Sequence, residues 1–207
     1  MDRGAGLFRK DGRVVAQGDK GRKFWMTIKQ RLEQWKIVTP ETPGLHECVL
    51  PGVQDCREVN ILRLNLQRNE SRTVDTGGRE MNFVLIYGAA HVKCNHFTRD
   101  MARLDSFYLP GQETVTLTAL EDCSFYIGAA VWEGYGRPFY RKFDLSLPLG
   151  EIHQIHGRGA GRREVFFTLD PQSEASRLLC GLTWGGNGSW TSWPPHQHEK
   201  DLEEAYC

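Results

Sequence analysis

Between Val59 and Trp184 the chain breaks into short apolar runs separated by glycine and proline turns about every ten residues, and this rhythm confines it to an all-β fold. Leu62, Leu64 and Leu66 alternate with Arg63, Asn65 and Gln67, the period of a strand with one face buried. Met81 to Tyr87 is apolar except at Asn82 and stops at Gly88, as a strand covered on both faces does. Val92 to Cys94 is read as the start of its hairpin partner. Phe107 to Leu109 runs into a Pro110-Gly111 turn, and beyond it Val115, Leu117 and Ala119 alternate with Thr114, Thr116 and Thr118. Cys123 to Ala130, Arg163 to Leu169 and Leu178 to Trp184 complete the series, with Thr76-Gly77-Gly78 and Asp170-Pro171 as further turns. Short strands without helical periods between them predict a sandwich or barrel rather than βαβ units.

The strands group into two modules. Residues 1–58 are assigned to an N-terminal tail and short helix region, 59–131 to a first barrel, 132–161 to a glycine-rich connection and 162–207 to the start of a second barrel. Met1 to Lys23, with its five glycines, suits a mobile tail, while Ile28, Leu32 and Trp35 sit at helical spacings within Trp25 to Trp35. The second module has only about half the length of a closed barrel of ~100 residues, so that barrel is expected to be incomplete in this chain.

At 207 residues and 40% hydrophobic content the chain is long enough for one large or two small domains. Its 26 basic residues cancel 26 acidic ones, so no net field favours nucleic acid or an anionic membrane. No apolar run reaches about eighteen residues and the N-terminus lacks a secretory hydrophobic stretch, so a cytoplasmic location is expected. The six cysteines (Cys48, Cys56, Cys94, Cys123, Cys180, Cys207) show no CxxC spacing and read as reduced thiols.

Chemistry concentrates in the run Gly188 to His198. His196 and His198 stand one residue apart after Pro194-Pro195, which forbids helix, so both imidazoles fall on one face of an extended chain and could chelate one cation. The carboxylates of Glu203 and Glu204 follow closely, and His, His and Glu form a recognised ligand set for zinc, manganese or iron. An isolated HxH is more often a surface pair, so the assignment leans on what surrounds it. Elsewhere, Trp190 and Trp193 are read as packing a barrel core or rim, and His153 with His156 as structural. The alternating glycines and arginines of Gly157 to Arg163 are read as a solvated loop in preference to a carboxylate contact.

Gly188 to His198, the preceding Leu182-Thr183 and the closing Leu202-Glu203-Glu204-Ala205-Tyr206 resemble the 5-deoxy-glucuronate isomerase family of myo-inositol catabolism. Arg162 to Val165, Leu169 to Pro171 and Ser176 to Leu179 extend the resemblance upstream, for a coverage of about Val59 to Tyr206. The 4-deoxy-5-hexosulose-uronate ketol isomerases of pectin breakdown share the PPHxH element less closely. The resemblance implies a bicupin, two jelly-roll barrels in tandem, with a divalent metal, zinc or manganese, in the second. It makes His196 and His198 ligands with a glutamate as the third; Glu204 fits the family's ExY register and is favoured, Glu203 fits the four-residue spacing after the second histidine that cupins often use, and only one of the two can enter the site because adjacent strand residues face opposite sides. The first barrel reads Glu80-Met81-Asn82-Phe83 at the matching strand, without an HxH, so no metal is expected there. The family's fourth ligand, a later histidine, has no counterpart before Cys207, and no catalytic base is assigned.

The implied reaction converts 5-deoxy-glucuronate to 2-keto-5-deoxy-gluconate through an enediolate, with metal assistance. A small sugar-acid substrate is then the expected partner; a homo-oligomer is allowed, and neither nucleic acid nor membrane is called for. The competing readings are a truncated, non-catalytic cupin, the pectin-pathway ketol isomerase, and a metal cupin of another class such as a dioxygenase, which would need an open iron site.

Overall fold

The structure, a computed structural model, describes residues 13–16, 24–27, 29–30, 33, 36–53, 56–189, 191 and 202–207. It divides into two compact units, Met1–Val38 and Thr39–Cys207. In the first, β1 (Arg13–Ala16) and β2 (Phe24–Thr27) pair antiparallel, with Val14 opposite Met26. Part of the expected tail is therefore a hairpin, and Trp25 and Met26 lie in a strand rather than a helix. The β-branched Val14-Val15 and aromatic Phe24-Trp25 suit the pleat. Helical backbone at Lys29, Gln30 and Glu33 follows a capping box: the Gln30 N–H donates to Thr27 Oγ1 (3.2 Å) and the Thr27 N–H to Gln30 Oε1 (2.9 Å).

The second unit is built on β3 (Gly44–Val49), β4 (Asn60–Leu66), β5 (Ser71–Asp75), β6 (Arg79–Tyr87), β7 (Ala90–Cys94), β8 (Thr98–Met101), β9 (Ser106–Leu109), β10 (Thr114–Ala119), β11 (Cys123–Val131) and β12 (Phe139–Arg141). Strands β4 to β7 pair in reverse order with β11 to β8: β4 with β11, β5 with β10, β6 with β9 and β7 with β8. This long double ribbon folds over into two facing sheets, β5-β10-β7-β8 and β12-β9-β6-β11-β4-β3, which is a jelly roll of the cupin type. The expected all-β, cupin-like architecture holds. Residue 59 is not its edge, however, because β3 extends the larger sheet upstream and β12, from the expected connection, extends it at the other side. Nor is β7 the hairpin partner of β6. Gly88, at φ 77°, carries the chain across to the other sheet, and a Cβ there would stand 2.1 Å from the Asp122 carbonyl oxygen.

Period-two alternation fills the space between the sheets. Leu62, Leu64, Met81, Phe83, Leu85, Val92, Phe107, Leu109, Val115, Leu117, Phe125 and Ile127 are all essentially inaccessible, and Phe83 stacks on Phe107 with centroids 4.3 Å apart. Each such side chain contributes about 1.5–3 kcal/mol by leaving water. On the outer face of β10 and β5, Thr116 meets Thr73 and Thr118 meets Ser71 through hydroxyl pairs at 3.1 and 2.8 Å, so that face stays wet and polar.

Beyond β12 the chain forms a separate sheet from β13 (His153–His156), β14 (Arg163–Leu169) and β15 (Cys180–Gly185), in that order. β13 again comes from the expected connection, pairing Ile155 with Glu164. This sheet lies over the outer face of β6: Asn82 Nδ2 donates to Thr168 Oγ1 at 3.0 Å, and a Cβ on Gly128 would lie 3.4 Å from Cys180 Sγ. That cover is why β6 is buried on both faces and its sequence reads as a nearly continuous apolar run. No helix among the described residues is long and apolar enough to cross a membrane.

Candidate functional site

The structure separates the two expected glutamates. Glu203 turns its carboxylate onto a tripeptide 144–146 residues away: Oε1 accepts from the Arg57 N–H (2.6 Å), and Oε2 from the N–H groups of Glu58 (2.8 Å) and Val59 (3.1 Å). Partial burial pushes the Glu203 carboxyl up, but the three amides outweigh it and hold it below the ordinary carboxylate range. Glu204 is exposed, and its Oε1 accepts from the Tyr206 hydroxyl at 2.8 Å. His196, His198, Trp190 and Trp193 lie outside the described residues. Among the described residues no three His, Cys, Asp or Glu side chains gather in a way that could hold a metal ion.

As a donor set for a divalent cation, two imidazoles and the Glu204 carboxylate are chemically suitable. The two Glu203 oxygens face the positive ends of three N–H groups in this structure.

Sequence reasoning missed the carboxylate that anchors the approach to β15. Glu80, fully inaccessible, accepts from Tyr108 OH (2.6 Å), the Ser176 N–H and hydroxyl (2.7 and 2.8 Å), and the N–H groups of Arg177 (2.6 Å) and Leu178 (2.7 Å). These five donors thus replace the water that Oε1 and Oε2 lose on burial. Burial, and then the bond to Glu80, push the Tyr108 phenol well above its usual range, so it stays a donor. Gly136 is needed beside it, because a Cβ there would stand 2.5 Å from the Tyr108 hydroxyl. A charged residue opening an apolar strand is the only trace of this in the sequence.

Two further polar ties hold the second sheet. Arg141 donates to the Phe167 carbonyl (2.8 Å) and to Asp170 Oδ2 (2.6 Å). Burial pushes the Asp170 carboxyl up, yet Arg141, the Ser173 hydroxyl and the Gln172 amide together hold it below the usual carboxylate range. His153 is structural, as its sequence context suggests: one ring nitrogen meets the Leu147 carbonyl (2.8 Å) and the other Glu164 Oε1 (2.7 Å). The Leu147 carbonyl, then Glu164, raise its pKa above the ordinary imidazole value. The interior of the jelly roll itself is packed with apolar side chains; Met81 and Phe83 point into it, while Glu80 and Asn82 face the second sheet. A cleft of about 730 Å³ beside β8, lined by Arg99, Asp105, Tyr140 and Lys142, has its Asp105 oxygens committed to Ala102, Tyr140 and Phe143.

Comparison with known proteins matches residues 42–207 to the KduI/IolB family, a span that takes in the jelly roll, the second sheet and the acidic pair. The chain belongs to the KduI/IolB family. Among KduI/IolB relatives, a 5-deoxy-glucuronate isomerase of Geobacillus kaustophilus is 26% identical over 159 residues, 68% of this chain and 55% of that protein. Another, from Halalkalibacterium halodurans, is 24% identical over 157 residues, 70% of this chain and 56% of its own length. The chain thus spans about half the length of the curated relatives it matches. An IolB-like protein from Salmonella typhimurium LT2 superposes with a TM-score of 0.67 at 23% identity, covering 81% of this chain and 66% of that one, and so shares the fold.

Proposed function

We propose that this chain belongs to a sugar-acid isomerase that converts 5-deoxy-glucuronate to 2-keto-5-deoxy-gluconate in myo-inositol catabolism. The observation that carries the reading is the family match across residues 42–207, joined to relatives that bear the name of that isomerase. An aldose-ketose isomerisation moves one proton: it leaves the carbon beside the carbonyl, an enediolate forms, and a proton returns to the neighbouring carbon. His196, His198 and Glu204 are the groups that would hold a divalent cation, zinc or manganese, which when bound supplies stabilisation for negative charge growing on the substrate oxygens. The role left to the jelly roll is that of a scaffold, since its interior is already filled. A cytoplasmic setting, in keeping with six cysteines that show no CxxC spacing, is part of the same reading.

The test is an isomerase assay on metal-supplemented protein with 5-deoxy-glucuronate and, as the runner-up substrate, the 4-deoxy-5-hexosulose-uronate of pectin breakdown. Turnover of the first, abolished in His196→Ala and His198→Ala, is the expected result. Metal-loaded protein that turns over neither uronate overturns the assignment.

A further inference from the structure

Asparagine stands at positions 60, 65, 69, 82, 95 and 187, and only Asn187 is followed by glycine. It lies just past β15, the outer strand of the second sheet, where the Ser189 N–H donates to the Gly186 carbonyl at 2.9 Å and closes a turn. Gly188, at φ 76°, holds the third position of that turn, the one a type II turn reserves for glycine. Asn187 and Gly188 are both exposed, and a Cβ built on Gly188 would meet nothing within 4 Å. Nothing among the described residues therefore crowds the Gly188 Cα, and the glycine brings no side chain of its own to shield its nitrogen.

The other asparagines lack this combination. Asn69 is exposed but precedes Glu70, whose N–H is committed to the Gln67 carbonyl at 2.9 Å. Asn95 is exposed but precedes His96, whose ring is held on Glu113 Oε1 at 2.7 Å. Asn60, Asn65 and Asn82 are buried within the paired strands β4 and β6.

We propose that Asn187-Gly188 is a site of spontaneous deamidation, a covalent modification that makes a neutral turn anionic. The Gly188 nitrogen attacks the Asn187 side-chain carbonyl carbon. A C–N bond forms and closes a succinimide ring, the bond to the side-chain nitrogen breaks, and that nitrogen leaves as ammonia carrying the Gly188 amide proton. Water then opens the ring: addition at the side-chain carbonyl gives aspartate, and addition at the main-chain carbonyl gives isoaspartate, which routes the backbone through the side chain and lengthens it. No electrons are exchanged; the net change is water consumed and ammonia released. What must give way first is the backbone hydrogen bond from Ser189 to Gly186, at the end of the outer strand, where local opening is easiest. In the isoaspartyl product that bond is lost, and the adjoining Gly185–Arg163 pair at the end of the β14–β15 ladder frays.

The experiment ages the full chain at mildly alkaline pH, folded and in urea, and follows its peptides by mass spectrometry. In the folded chain the peptide carrying Asn187 is expected to gain the mass of an acid replacing an amide at a rate within about tenfold of that in urea, with peptides carrying Asn69 and Asn95 at least about tenfold behind. The same peptide is expected to accept methyl groups from S-adenosylmethionine through an isoaspartyl O-methyltransferase, and to lose that capacity in Asn187→Gln, whose longer side chain closes a ring far more slowly. Should Asn187→Gln fail to fold, the wild-type peptide map decides alone. In the isoaspartyl fraction, exchange at the Ser189 amide is expected to quicken about tenfold while β13 keeps its protection. Deamidation of Asn187 in urea but not in the folded chain overturns the proposal, as does Asn69 or Asn95 keeping pace with it, or methyl acceptance that persists in Asn187→Gln. Unchanged exchange at Ser189 in the isoaspartyl fraction overturns the predicted opening of the turn.

Discussion

The jelly roll and the three-stranded sheet that leans on it are held by different forces. Inside the jelly roll, aromatic and aliphatic side chains from both sheets meet with no accessible surface, as at Phe83, Leu85, Phe107, Leu117 and Phe125. The second sheet contributes less of that kind: Phe166 and Leu169 on β14 are fully inaccessible, but β15 alternates between half-buried and exposed. Its attachments include charge-assisted hydrogen bonds, Glu80 to the amides of Ser176, Arg177 and Leu178 and Arg141 to Asp170, while His153 and Glu164 tie β13 to β14 within the sheet. Apolar packing is tolerant in direction and resists water everywhere, whereas a buried carboxylate demands its particular donors. The first region therefore serves as a rigid body, and the second is registered on it by a few polar ties that can be cut one at a time.

Four measurements bear on that contrast. Phe83→Ala, which removes one ring of the 4.3 Å stack, is expected to cost about 3–5 kcal/mol in denaturant unfolding. A loss under ~1 kcal/mol would mean that the barrel is not the rigid partner. Glu80→Gln, which must set an NH2 against N–H or O–H donors, is expected to cost about 2–3 kcal/mol. Its mark is localisation: amides of Arg177 and Leu178 lose exchange protection while those of β10 keep it, and uniform loss across both regions would erase the distinction drawn here.

The His153 contact adds a pH dependence confined to the second sheet. Because the folded pKa is raised above the ordinary 6.5, its contribution is complete below that value and is lost as pH rises through the higher folded one. Exchange at β13 and β14 should thus quicken relative to β6 as pH rises above the ordinary imidazole value of 6.5, and His153→Gln should flatten the trend. A trend of opposite sign would show that the ring is not held as an imidazolium. The smallest effect is expected at Ile155, 39% exposed on β13, where Ile155→Ser should stay within about 0.5 kcal/mol. A cost of several kcal/mol there would reveal a covered face.

Much of the jelly roll was legible because its strands carry their environment locally. Leu62 to Leu66 and Val115 to Ala119 alternate because one face of each strand packs in the apolar core and the other is polar, and Met81 to Tyr87 does not because both faces are covered. The short strands β3 and β12 were not legible, since six residues containing His46 and Glu47, or three residues after Pro138, have no period to detect. The capping box at Thr27 and Gln30 lies inside the segment Trp25 to Trp35 whose spacing suggests a helix, but Trp25 and Met26 belong to β2 and helical backbone is described only from Lys29. At the candidate site, the motif around His196 and His198 pointed to the family, but nothing in Glu203-Glu204 says which carboxylate meets the amides of Arg57 to Val59.

The amino-acid sequence by itself determined that the chain is all β, where most strands run and which face of each is apolar, because those properties depend on residues two to ten positions apart. The tertiary structure alone decided that β6 turns away from β7, that Glu80 receives amides 96–98 residues downstream, and that Glu203 rather than Glu204 meets the Arg57–Val59 amides. A carboxylate's partners are chosen by whatever donors collapse brings within about 3 Å, and no local period encodes that choice.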